Sequence, residues 1–322
     1  MTDSPKPKYI IMLALLKAGR CYEDANRLAE RVSTKLPSID RLFEFLKDRD
    51  ERSAVSELIG HRFRKPVITD SDVKAIKAEL FNPSSQDMVE QKIMAEVKDF
   101  VVRTVELIRN LNADRIISEE AINPLLVKAL GFKTLGDVAR YYVYQTLARS
   151  IVTSFGSVLE KVGRLVAGGK KAGWWDAVVD LNGQRYFMSI KSGPRTMDAD
   201  QAREFVRRAK EVEAGAKPVY VGLYGKELWS AAKRVIENEL GSVDKHVYIG
   251  KSFYEKFVGK PNYHARLLTL LERAATSALR ITTLLGVEER NIMELVESKV
   301  AEVTRELEKR FKDVDELVLS LF

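Results

Sequence analysis

The sequence predicts an α/β fold of the α+β kind, a mixed central sheet flanked by helices, with a helical region before it and a helical tail after it. Three observations carry this. Apolar runs at residues 177–181 and 186–190 are separated by Asn182-Gly183, residue types that tolerate the positive φ angles of a tight hairpin turn. An apolar run of strand length at 219–225, a helical segment at 227–240 and a short run at 246–250 then alternate, as in a partly parallel sheet with helices packed on it. On both sides of this region apolar residues recur at three- and four-residue spacing.

Taken in order, the chain opens with helical periodicity over 7–60, as in Ile10, Leu13 and Leu16 and then Leu42, Phe45 and Leu46, broken at Gly19 and Pro37. Ser38-Ile39-Asp40 reads as a helix start, and residues 60–66 read as a basic connector, ordinarily a solvated loop. Thr69 to Asp72 offers capping chemistry for a helix reaching about Leu80. Asn82-Pro83 ends it, and Ser85 or Asp87 starts a long helix that runs as far as Asn110. Short helical pieces broken by Pro124 and Gly131 follow. Thr134 opens a run from Leu135 to about Val166 that is apolar on more than one side, which marks a central helix, with Gly156 as a kink or a close packing contact. Past the hairpin, Asp198 or Asp200 caps a basic amphipathic helix that extends through Lys210. The tail is helical from Arg266, and Ile292, Val296, Val300, Val303, Leu307, Phe311, Val314 and Val318 form one apolar stripe. Such a stripe is ordinarily a core face, with a partner helix as the other reading.

Composition narrows the function classes. With 322 residues and 45% hydrophobic content the chain can bury a sizeable core without staples. One cysteine excludes a disulfide framework and a cysteine-rich zinc site, and His61, His246 and His264 have no metal-ligand spacing. The apolar patch at 9–16 is too short to span a bilayer and no secretory cleavage site follows, so the sequence reads as cytoplasmic, without membrane contact. A net charge of +7 permits a polyanionic partner without requiring one.

The chemistry concentrates at the hairpin. Asp176 stands at the start of its first strand and Lys191 at the end of its second, and an antiparallel pair brings those ends side by side. Upstream, the apolar and small residues around Glu160 make its carboxylate costly to bury unless it is paired or binds a cation. A Gly168-Gly169 turn between helix and strand lets Glu160 and Asp176 meet. Two carboxylates beside a lysine suit a hard cation of the Mg²⁺ kind, with Lys191 holding or deprotonating an attacking water.

A helix glutamate, then an aspartate, then a strand ending in a lysine resembles the PD-(D/E)XK nuclease superfamily. SFGSVLE at 154–160 and KSGPRTMDADQ at 191–201 are most similar to type II restriction endonucleases, and the likeness covers roughly 150–225. The resemblance implies a restriction-endonuclease-like sheet, Mg²⁺ as cofactor, double-stranded DNA as substrate and a homodimer. It assigns Glu160 to the acid of the first core helix, Asp176 to the invariant aspartate and Lys191 to the catalytic lysine. Trp175 replaces the usual proline, and Ser189 occupies the second acidic position, where it cannot act as a carboxylate ligand. Two sources for the second metal carboxylate are therefore open: Glu160, whose neighbours look buried, and Glu204 on the following helix, whose neighbours look solvated. Lys170, Lys171, Arg195 and Arg203 are the candidate DNA contacts, while Trp174 and Trp175 read as structural.

The corresponding division is a recognition and dimerisation region at 1–132, a catalytic core at 133–265 and a helical region at 266–322 that packs on the core or on a partner subunit. Competing expectations are a repair or structure-selective nuclease on the same core, and a DNA-binding relative whose site has decayed at Ser189.

Overall fold

The computed structural model describes residues 7–59, 66–81, 87–118, 121–260, 262–284 and 291–322. Residues 60–65 of the basic connector and the break at 82–86 lie outside the described residues. In chain order the elements are α1 (Lys8–Lys17), α2 (Tyr22–Lys35), α3 (Ile39–Lys47), α4 (Glu51–Ile59), α5 (Asp70–Leu80), α6 (Met88–Arg109), α7 (Asp114–Ser118), α8 (Pro124–Ala129) and α9 (Leu135–Val166). The strands β1 (Lys170–Ala172), β2 (Trp175–Leu181) and β3 (Gln184–Lys191) follow, then α10 (Ala199–Ala209), β4 (Lys217–Gly222), α11 (Ser230–Leu240) and β5 (Val247–Ile249). The chain closes with α12 (Lys251–Phe253) continued by a π-turn, α13 (Tyr263–Leu284), α14 (Ile292–Glu308) and α15 (Val314–Leu319). These elements form two compact units, one of Met1–Asn82, Ala95–Ser154 and Ala274–Phe322, the other of Pro83–Met94 and Phe155–Arg273.

The first unit is helical, and its boundaries follow from local chemistry. Ser38 accepts from the Arg41 N–H to start α3, and Thr69 and Asp72 form a reciprocal capping box at α5. Pro124 stands at the first position of α8, where its missing N–H costs nothing. α1 is apolar all round, with residues 10–16 buried, and it packs against α2 and α5. Pro7 offers it no side-chain cap. Asp99, buried on α6, does so instead: its Oδ1 accepts from the N–H groups of Tyr9 at 2.9 Å and Ile10 at 3.0 Å.

Burial raises the Asp99 pKa to about 7, against the opposing charge of Arg103. A carboxyl raised in this way contributes stability that is fully present below the pKa of an unfolded aspartate, about 4, and is lost progressively as pH rises from there through about 7. Asp99→Ala should cost about 3 kcal/mol, because it strands the buried N–H of Ile10 and the half-buried N–H of Tyr9. Asp99→Asn keeps an acceptor oxygen, so it should unfold near the wild-type temperature while losing this part of the pH dependence. Thermal melts across pH 5 to 8 check both, and an alanine variant as stable as wild type would exclude the capping role.

The C-terminal stripe is divided between α14 and α15, and in this unit it is core: Val296, Val300, Val303, Leu307, Val314 and Val318 are all buried. α14 also meets the first half of α9, where Arg140 and Tyr144 both bond to Glu297 and Gly136 lies against Thr304. The reading of α9 as apolar on more than one side needs correction in its middle. Val152 is 72% exposed, and a Cβ on Gly156 would meet open space, so Gly156 makes no packing contact.

The second unit holds a five-stranded sheet in the order β1-β2-β3-β4-β5. β1, β2 and β3 are antiparallel neighbours, whereas β3, β4 and β5 are parallel, joined through α10 and α11. Asn182 and Gly183 take φ angles of 51° and 75°, as the tight hairpin requires. β1 is a strand that apolar patterning does not reveal. β4 ends at Gly222, three residues before the apolar run does, because Gly222 pairs with Lys191 and β3 stops there. α11 begins at Ser230 and not at Glu227, since the Leu228 side chain first turns down into the cluster of Trp175, Phe205, Tyr220 and Ile236.

Candidate active site

Helix α9 reaches the sheet because Gly163 lets it approach. A Cβ on Gly163 would lie 2.8 Å from Ile190 Cγ2 and 3.0 Å from Leu223 Cδ2, so a side chain there would push the helix off the strands. Glu160, one turn earlier, thereby stands over the end of β3. Gly168, at φ 66°, stops α9. Gly169 passes so close to β2 that a Cβ would sit 2.8 Å from that of Ala177.

Within this frame three predicted residues come together. Lys191 Nζ is 2.9 Å from Glu160 Oε1 and 3.6 Å from Asp176 Oδ2. The Ile190 N–H donates to the same Asp176 oxygen at 2.8 Å, which fixes the carboxylate against the strand. Asp176 is the least exposed of the three, with 19% of its side chain accessible. Burial works to lower the Lys191 pKa, but the Asp176 charge and the Glu160 hydrogen bond outweigh it, so the net shift is upward. Lys191 is therefore an ammonium here, a donor and a positive charge. Ser189, two residues earlier on β3, is buried.

Glu204 lies elsewhere in its bonding. On α10 it accepts from Arg207 at 2.6 Å and from Arg208 at 2.9 Å, and these pairs lower its pKa to about 2. Its ionic partners among the described residues are those two arginines.

The donor set fits a hard cation. Glu160 Oε2 and Asp176 Oδ1 have no partner among the described residues, so each carboxylate keeps a free oxygen while its other oxygen is held. No group of three His, Cys, Asp or Glu side chains able to hold a metal occurs among the described residues. Two carboxylates alone are enough for Mg²⁺, which binds through one or two and retains water.

A family model described as type II restriction endonuclease EcoO109I matches residues 87–278. The chain belongs to this family. At the family level it is a type II restriction endonuclease and binds DNA, and the mixed sheet with its flanking helices is the fold that this membership leads one to expect. The match runs from the start of α6 into α13 and includes every candidate site residue. A comparison with curated proteins returned no match. No helix among the described residues is long and apolar enough to cross a membrane.

The basic residues separate into two kinds. Lys170 and Lys171 lie exposed on β1, and Arg195 lies exposed in the loop after β3, none of them paired with a carboxylate among the described residues. Arg203 is instead engaged by Asp200 within α10. Trp175 is core, edge-on to Phe187 and Phe205, as its position beside a strand start leads one to expect. Trp174 is not: it is 39% exposed, stacked edge-on against Trp175 with the Arg208 guanidinium 5.9 Å from its ring. Tyr224 and Lys226, exposed in the loop after β4, escape the sequence reading because the apolar run hides the end of that strand.

Proposed function

We propose that the protein is a Mg²⁺-dependent, sequence-specific endonuclease of the type II kind that hydrolyses phosphodiesters of double-stranded DNA, acting as a cytoplasmic homodimer. The observation that carries this is Lys191 held between Glu160 and Asp176 at the end of β3, in a chain of a restriction endonuclease family. Glu160 and Asp176 would hold the cation, which supplies charge to offset that building on the phosphate. The Ile190 N–H fixes Asp176 through Oδ2, which leaves Oδ1 for the cation. Lys191 donates to the attacking water or to a phosphate oxygen, a role that a protonated amine fills without accepting a proton. Lys170, Lys171 and Arg195 are free to pair with backbone phosphates, which fixes the duplex without conveying sequence.

The test is incubation of plasmid DNA with the protein and Mg²⁺. Discrete fragments that end in one common sequence support the proposal. Cutting only at junctions or flaps would assign the same core to repair, and specific binding without cutting would mean that Ser189 marks a decayed site.

A two-fold symmetric DNA site is most simply read by a two-fold symmetric protein. With the stripe of α14 and α15 used in the core, the dimer proposal rests on that symmetry and not on a free tail helix. Sedimentation at micromolar concentration, with and without DNA, should give a dimer mass, and a monomer under both conditions would end the dimer proposal.

A further inference from the structure

Three loops leave the carboxyl ends of the parallel strands β3, β4 and β5, the edge of an open sheet where ligands bind. They are locked together through glycines. The Leu223 and Tyr224 N–H groups donate to the carbonyls of Lys191 and Ser192, so the loop after β4 is tied to the last residue of β3 and to the one after it. Gly225, at φ 104°, lies against Pro194, and Gly250 lies against the Gly225 carbonyl. A Cβ on Gly193 would overlap the Tyr224 ring, 2.7 Å from Cε2 and 2.8 Å from Cε1. The ring therefore rests on bare backbone two residues beyond Lys191.

Tyr224 is nevertheless 60% exposed, and its hydroxyl makes no hydrogen bond among the described residues, whereas the Tyr220 hydroxyl donates to the Gly193 carbonyl. The loops that meet here carry cations that suit a polyanion, Arg195 and Lys226, exposed and unpaired among the described residues; the acidic groups are Glu227 and the two carboxylates, Glu160 and Asp176, that Lys191 holds. An aromatic ring seated in this way has little freedom left to lose on binding, which is how a rigid contact residue limits its entropic cost.

We propose that Tyr224, seated on Gly193, is a positioning residue that donates its hydroxyl to a DNA phosphate adjoining the scissile bond. This rests on the nuclease reading of Glu160, Asp176 and Lys191 and names a further contact for it. Gly193 serves as the seat, and only a residue without a Cβ leaves the ring where it is.

The experiment uses the full-length protein and a synthetic duplex carrying the cut site mapped on plasmid DNA. Single-turnover cleavage is measured at saturating protein with Mg²⁺, and duplex affinity is measured separately with Ca²⁺ in its place. Tyr224→Phe should lower the saturating rate about tenfold, the worth of one hydrogen bond to a charged oxygen. Affinity should change less than the rate does. Gly193→Ala should reproduce the loss with the tyrosine intact, because the ring at the far end of its side chain must swing away. Melting temperatures confirm that both variants fold. A Tyr224→Phe enzyme that cuts at the wild-type rate overturns the proposal, as does a folded Gly193→Ala enzyme with full activity. A wild-type protein that cuts no DNA defeats the nuclease reading instead, so the two failures are distinguishable.

Discussion

Lys191→Ala is expected to abolish cleavage, by about a thousandfold, while DNA binding stays near that of the wild type. The ammonium is the group that ties Glu160 to Asp176, at 2.9 Å and 3.6 Å. Its removal takes away the donor proposed to act on the attacking water or a phosphate oxygen, but the exposed cations on β1 and after β3 are untouched. Two gels check this, one following cleavage with Mg²⁺ and one following mobility of the site-bearing duplex. Loss of both activities would make Lys191 a DNA contact, and cleavage above a few per cent of the wild-type rate would remove it from the mechanism. Lys191→Arg is informative beside it. A guanidinium keeps the charge but fits a different geometry, so it should restore little of the rate.

The parts of the fold that were legible are those encoded by neighbours in sequence. Asn182-Gly183 sets the hairpin, and Ser38, Thr69 and Asp198 start their helices with bonds made within three residues. The convergence of Asp176 and Lys191 followed from the same local logic, because one tight turn fixes the register of both strands. Contacts made across long stretches of sequence were not legible. β1 has three exposed residues, Lys-Lys-Ala, and exists only because β2 offers it a partner, so no apolar alternation announces it. Asp99 looks like an ordinary charge on a helix, yet it caps α1 from far along the chain. Gly156 stands out in the sequence among the apolar residues of α9, whereas the glycine that sets the site is Gly163, whose meaning depends on Ile190 and Leu223. Tyr224 was hidden for a related reason: an apolar run gives the length of a strand only where its partner strand continues.

The second large effect concerns which glutamate completes the cation site, the question raised by Ser189. Glu160→Ala should lower activity about a hundredfold or more and raise the Mg²⁺ requirement, because Asp176 alone leaves the cation one protein carboxylate and too little compensating charge. Glu204→Ala should cost little, since Glu204 spends both oxygens on Arg207 and Arg208 and would have to give up those bonds to reach a metal. A small loss is still expected from it, because freeing the two arginines changes the charge of α10 near the exposed Trp174. Titrating Mg²⁺ for each variant separates weakened metal binding, seen as a shifted midpoint, from a slower chemical step, seen as a lower plateau. The opposite pattern, with Glu160→Ala normal and Glu204→Ala demanding more Mg²⁺, would transfer the ligand role to Glu204. In that case Ser189→Glu, which places a carboxylate two residues before Lys191 on β3, should rescue the Glu204→Ala enzyme. If Glu160 is the ligand, Ser189→Glu should instead be harmful, because a third carboxylate at a position only 4% exposed adds a buried charge beside two already held by one lysine.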